Sequence, residues 1–150
     1  MTSDPEGTLR VSRVIPADPE AVFRAWTHPD LIPRWHGPPG GRILDVQLDL
    51  VEGGAFSLRM EGADGRLYHV FGVYQEVTAP RRLVYTWDVE GADDWVGETL
   101  VTVEFLREGE STRVVITHEG FPTARDTEGP RGGWIGCLDQ LEGVFAYGSR

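Results

Sequence analysis

A chain of 150 residues with 40% hydrophobic content and a formal charge of −10 fits one packed domain, and it repels phosphate backbones and anionic membrane surfaces. No apolar run approaches the roughly 20 residues that span a bilayer. The polar, acidic start Met1-Thr2-Ser3-Asp4-Pro5-Glu6-Gly7 is no secretory signal, and the single cysteine, Cys137, excludes an internal disulfide, so the composition points to the cytoplasm.

Residues 1–8 read as a disordered N-terminus and 9–148 as a single domain, with no repeat or linker. Leu9 to Ile15 alternates as a first strand. Pro16-Ala17-Asp18-Pro19 breaks it, with Asp18 as N-cap and Pro19 at the first helical position of a helix that places Val22, Phe23 and Trp26 on one face. His28 to Trp35 reads as a second short helix, ended by Pro38-Pro39-Gly40-Gly41. From there the period is two, with strand candidates at 43–50, 55–61, 66–78, 82–89, 96–107 and 112–119. The turns between them are short, so consecutive strands pair antiparallel. Residues 122–130 read as a polar loop, and Gly133 to Tyr147 as a long helix whose stripe is Trp134, Leu138, Leu141 and Phe145. The concave face of the sheet is the one surface large enough to bury that stripe.

The order of elements and several stretches resemble a known family. Ile15-Pro16-Ala17-Asp18-Pro19-Glu20-Ala21-Val22-Phe23-Arg24-Ala25-Trp26-Thr27-His28-Pro29 is similar to the opening of the family named after the C-terminal domain of the heat-shock-protein-90 ATPase activator. Trp35-His36-Gly37-Pro38 resembles its tryptophan-rich corner, Pro80 to Trp87 its central strand entry, and Thr112 to Phe121 with Gly133 to Leu141 its last strand and helix. That family lies within the START, birch-pollen-allergen-like and polyketide cyclase superfamily (SRPBCC). The resemblance implies an α+β helix-grip (START-like) fold: a curved antiparallel sheet of about seven strands wrapped around a long C-terminal helix, with two short helices after strand 1. It implies no shared catalytic triad, so it speaks to fold more than to activity. In the namesake a separate chaperone-binding domain precedes this one, whereas this chain begins its first strand near Leu9, so a co-chaperone role ranks last.

Alternation nominates an apolar pocket walled by Leu83, Tyr85, Trp87, Val101, Val103, Val114, Ile116, His118, Trp134, Leu138 and Leu141, with Trp35 either a lid over its mouth or a staple for its loop. His118 and Tyr85 are the groups that could orient a ligand. His118 reads either as a general base or, more commonly for such a residue, as a histidine held in a structural network. Cys137 reads as a small buried hydrophobe, and Gly132, Gly133, Gly136 and Gly143 as sites of close approach or a frayed first turn. Glu76, Asp88, Glu98 and Glu104 are expected to face solvent. No metal is expected, since His28, His36, His69 and His118 show no ligand spacing. No cofactor is expected either: there is no phosphate-cradling glycine loop, and with all 14 basic residues arginine a lysine Schiff base is impossible. The favoured function is binding or transport of a small hydrophobic, aromatic or polycyclic molecule. The alternative is a cyclase, dehydratase or hydrolase of natural-product metabolism using the same cavity. The expected partner is that small molecule, with no nucleic acid, no membrane insertion and a homodimer left open.

Overall fold

Period-two alternation becomes seven strands in the computed structural model, which describes residues 7–37, 40–92 and 95–148. The elements run β1 (Thr8–Ile15), α1 (Pro19–Thr27), a 3-10 turn (Ile32–Arg34), β2 (Arg42–Leu48), β3 (Ala55–Glu61), β4 (Leu67–Thr78) and β5 (Arg82–Glu90). β6 (Thr99–Glu108), β7 (Ser111–Glu119), a second 3-10 turn (Arg125–Thr127) and α2 (Glu128–Gly148) complete the chain. The sheet order is β1-β7-β6-β5-β4-β3-β2, with every neighbouring pair antiparallel. This is the expected α+β helix-grip arrangement. Among the described residues no helix is long and apolar enough to cross a membrane.

Local chemistry explains the boundaries. Asp18 accepts the Ala21 N–H at 2.9 Å and Pro19 opens α1, whose Val22, Phe23 and Trp26 are buried. The second short helix shrinks to the 3-10 turn Ile32–Arg34. Pro29 and Pro33 flank and interrupt that run, and a proline removes a donor that a longer helix needs. β6 starts at Thr99 rather than 96, because Gly97 holds φ +101°, a backbone conformation outside any strand. β1 starts at Thr8, paired with Glu119, so the disordered terminus expected over 1–8 does not include that residue; residues 1–6 lie outside the described part.

The largest revision is at the end of the chain, where the loop expected over 122–130 holds a 3-10 turn and the first turn of α2. Thr123 Oγ1 and Asp126 Oδ2 bond each other at 2.8 Å, and each also accepts the other residue's backbone N–H. That is a capping-box pattern, Thr-x-x-Asp, which nucleates the helical path ahead of Glu128. Pro130 falls in the first turn of α2, where its missing N–H costs nothing.

The β4–β5 ladder is irregular at two places. Between Phe71–Asp88 and Tyr74–Tyr85 the pairing opens, and Thr86 Oγ1 accepts the Val73 N–H at 2.9 Å in place of a backbone group. A Cβ on Gly72 would stand 1.9 Å from Thr86 O, so only glycine fits this close approach. A bulge between Tyr74 and Glu76 follows. α2 is held over β1 by Arg13, bonded to Asp139 and Glu142 at 2.8 Å each. These pairs are exposed and contribute little. Burial of Trp134, Leu138 and Leu141 with Val101, Val103, Val114 and Ile116 in one core fastens the helix.

Candidate functional site

The core is filled beneath the middle of α2 and opens beneath its beginning. There a cavity of about 340 Å³ lies between the first turns of α2 (Pro130, Gly133, Trp134, Cys137) and the curled side of the sheet. β3 supplies Met60, β4 Tyr68 and Val70, β5 Trp87 and Val89, and β7 His118. The corner after the 3-10 turn adds His36 and Gly37, and the β5–β6 connection adds Ala92 and Trp95. The size is within the range of small-molecule sites.

Of the residues nominated by alternation, Trp87, His118 and Trp134 reach this wall. Leu83, Val101, Val103, Val114, Ile116, Leu138 and Leu141 face inward as expected but are at most 1% exposed and packed in solid core. Tyr85 faces a separate hollow of about 30 Å³, room for a single water, and its hydroxyl accepts the Trp26 indole N–H at 3.1 Å. Burial pushes its hydroxyl pKa up, so it stays neutral. Trp35 is the staple: its indole N–H donates to Ala25 O at 2.9 Å, and its ring lies 4.3 Å from Trp26.

His118 is locked. The indole N–H of Trp134 can only donate, so the His118 Nδ1 it reaches at 3.1 Å is an acceptor. Nε2 then carries the proton and meets Thr99 Oγ1 at 2.7 Å, and that hydroxyl donates onward to Trp87 O at 2.8 Å. Both ring nitrogens are committed. Burial lowers the His118 pKa from 6.5 to about 3, so the ring is neutral and shows the cavity only its carbon edge. It is a wall and a brace, with no lone pair left for general-base work.

His36 differs. It is 8% exposed and lies against Trp87 (5.6 Å, 16°), Trp134 (5.6 Å) and Trp35 (4.8 Å). Among the described residues, its own main chain is the one polar group that raises the pKa of its ring. Burial lowers its pKa from 6.5 to about 4. Tyr68 also brings its side chain to the wall. Cys137 also lines it, with burial pushing its thiol up to about 12, so it acts as an apolar group. A Cβ on Gly133, Gly136 or Gly143 would meet nothing within 4 Å, so these glycines mark open space, not close approach to the sheet. Met60, Val70 and Val89 lie on inward rows that period two reveals. Tyr68 shares the inward row of β4 with Val70, whereas His36, in the corner after the 3-10 turn, carried no such signal.

A second constellation lies on the outer face of the sheet. Ser57 Oγ is 2.7 Å from His69 Nε2, and His69 Nδ1 is 2.8 Å from Glu90 Oε1. The order is that of nucleophile, base and orienting carboxylate. Yet Ser57 and His69 sit on strands paired on both sides, so their ladders consume the backbone N–H groups an oxyanion would need. This is a cross-strand polar ladder. Among the described residues no group of three or more His, Cys, Asp or Glu could hold a metal ion.

Seven antiparallel strands curled about one long C-terminal helix, with a cavity between them, define a helix-grip protein. Residues 16–146 match the family model "Activator of Hsp90 ATPase homolog 1-like protein", and the chain belongs to that family, within the SRPBCC superfamily. Solved structures agree. Protein CV1439 from Chromobacterium violaceum is 27% identical, with 93% of this chain and 96% of that one covered at a TM-score of 0.84. Protein NE0264 from Nitrosomonas europaea is 25% identical, with 98% and 99% covered at 0.83. CalU16 from Micromonospora echinospora is 26% identical, with 93% and 76% covered at 0.69. Comparison with curated proteins gives no match.

Proposed function

We propose that this protein binds a small hydrophobic, aromatic or polycyclic molecule in the cavity beneath the start of α2. The observation that carries the reading is the cavity itself: about 340 Å³ of space walled by Trp87, Trp95, Trp134, Met60, Val70 and Val89. Leaving this much apolar wall unpacked costs stability, which a bound apolar molecule recovers. A cyclase, dehydratase or hydrolase in the same place would need an acid–base pair at the wall. Glu76 and Glu104 are instead engaged with Arg82 at 3.2 and 3.4 Å, and no carboxylate lines the cavity among the described residues. Binding therefore needs fewer groups than catalysis and has those it needs. Chaperone activation, suggested by the family's name, would leave the cavity without a role.

Nile red, a neutral hydrophobic dye, should bind with micromolar affinity and quench tryptophan emission, and Trp87→Phe should remove part of the quench. No binding to a stably folded sample would sink the proposal.

Gly133 offers an independent check on where the dye sits. Its Cβ direction is open and it lines the cavity. Gly133→Ala should raise the unfolding free energy by roughly 1 kcal/mol, the helix-propensity difference, and keep dye binding. Gly133→Leu should fold and lose dye binding at least tenfold, because the isobutyl group occupies the space. Unchanged binding to Gly133→Leu would place the dye elsewhere.

A further inference from the structure

We infer that the cavity selects a neutral, flat hydroxyarene, which packs against the tryptophans and hydrogen-bonds through its hydroxyl to His36. The inference rests on the binding function proposed above and names the chemistry of the occupant. A neutral imidazole carries one N–H and one lone pair. Contact with its own main chain engages at most one of these, so at least one ring nitrogen of His36 has no partner in the protein among the described residues. His36 lies at the junction of the main cavity and the smaller hollow, and no buried polar atom is left unsatisfied among the described residues, so that nitrogen faces open space. Facing the cavity, that nitrogen is open to a ligand's hydrogen-bonding group in place of water. His118, by contrast, has both nitrogens occupied.

The partner must be uncharged. Among the described residues no arginine lines the cavity, so a carboxylate or phosphate would lie there without a counter-charge from them, which an apolar site penalises heavily. The partner must also be flat, because His36 and Trp87 stack nearly parallel at 16° and the Trp134 ring lies 5.4 Å from that of Trp87, leaving ring faces and edges as the available surface. A phenolic hydroxyl both donates and accepts, so it satisfies whichever nitrogen of His36 is free.

The test compares naphthalene, 2-naphthol and 2-naphthoate by isothermal calorimetry at pH 7.5. A hydroxyl lowers hydrophobicity, so without a partner 2-naphthol should bind more weakly than naphthalene. We expect it to bind about 10-fold more tightly, as one net hydrogen bond provides, and 2-naphthoate to bind at least tenfold more weakly than 2-naphthol. In His36→Phe the advantage of 2-naphthol should shrink to within about twofold, with naphthalene affinity retained, while Tyr68→Phe should leave it intact. Equal binding of naphthalene and 2-naphthol to the wild-type protein overturns the inference and leaves the binding function standing; this comparison needs no variant to fold. An advantage that survives His36→Phe and disappears in Tyr68→Phe overturns it in favour of Tyr68. If none of the three binds folded protein, the binding function fails and the inference with it.

Discussion

Trp134→Ala should lower the unfolding free energy by about 3–5 kcal/mol. The ring is 4% exposed, lies 5.4 Å from Trp87 and 6.3 Å from Trp26, and joins α2 to three other elements. Its removal forfeits that packing and also strips His118 Nδ1 of its donor, leaving a buried acceptor unpaired. The two losses separate in Trp134→Phe, which keeps most of the ring contact and drops the N–H. That variant should cost about 1–3 kcal/mol, the usual range for a buried unsatisfied group. Leu138→Ala, in the sealed part of the core at 1% exposure, should cost about 2–5 kcal/mol with no polar component. Urea melts at pH 7.5 decide. Costs below about 1 kcal/mol for both Trp134→Ala and Leu138→Ala would mean that the helix stripe faces water and that the architecture is wrong.

What could be read from the sequence follows from what alternation encodes. Period two states which face a residue occupies, and it placed Val114, Ile116 and His118 on one buried row of β7, as the structure has them. Period 3.6 placed Trp134, Leu138 and Leu141 on the buried stripe of α2. Neither period states how far apart two facing surfaces stand. Alternation therefore points to the central strands β5, β6 and β7, whereas the cavity is walled by β3, β4 and β5 with His118 of β7. The close approach at Gly72 and the bulge after Tyr74 are pairing features that a single strand's pattern does not carry. The Thr123–Asp126 box was legible, since its spacing is a helix-start signature, but Pro130 and the glycines after it made the stretch read as a loop. His36 was legible only as a residue type. Its importance comes from a ring nitrogen with no partner among the described residues, which only the tertiary arrangement reveals.

The two buried histidines also make the fold sensitive to mild acid. Burial lowers the pKa of His36 to about 4 and that of His118 to about 3, against 6.5 in the unfolded chain. Between those values the unfolded state binds protons that the folded state refuses, so stability rises with pH. The contribution is fully present above 6.5 and is lost as pH falls towards the folded values. Among the described residues no charged group offsets the cost at either ring. His118 faces Thr99, Trp87, Trp95, Phe121 and Trp134, and His36 faces Trp35, Trp87 and Trp134. One pH unit below 6.5, each histidine forfeits about 1.4 kcal/mol, so the pair should remove about 3 kcal/mol between pH 7.5 and 5.5. His36→Phe should roughly halve this loss, because the phenyl ring keeps the stacking and has nothing to protonate. His118 cannot be replaced as cleanly, since its neighbours Thr99 and Trp134 would lose their partner. Urea midpoints at the two pH values, measured for the wild-type protein and His36→Phe, give the comparison directly. A wild-type stability that is flat across this interval, or a slope unchanged in His36→Phe, would mean that His36 reaches solvent when protonated, and the aromatic cage around it would have to open to let it do so.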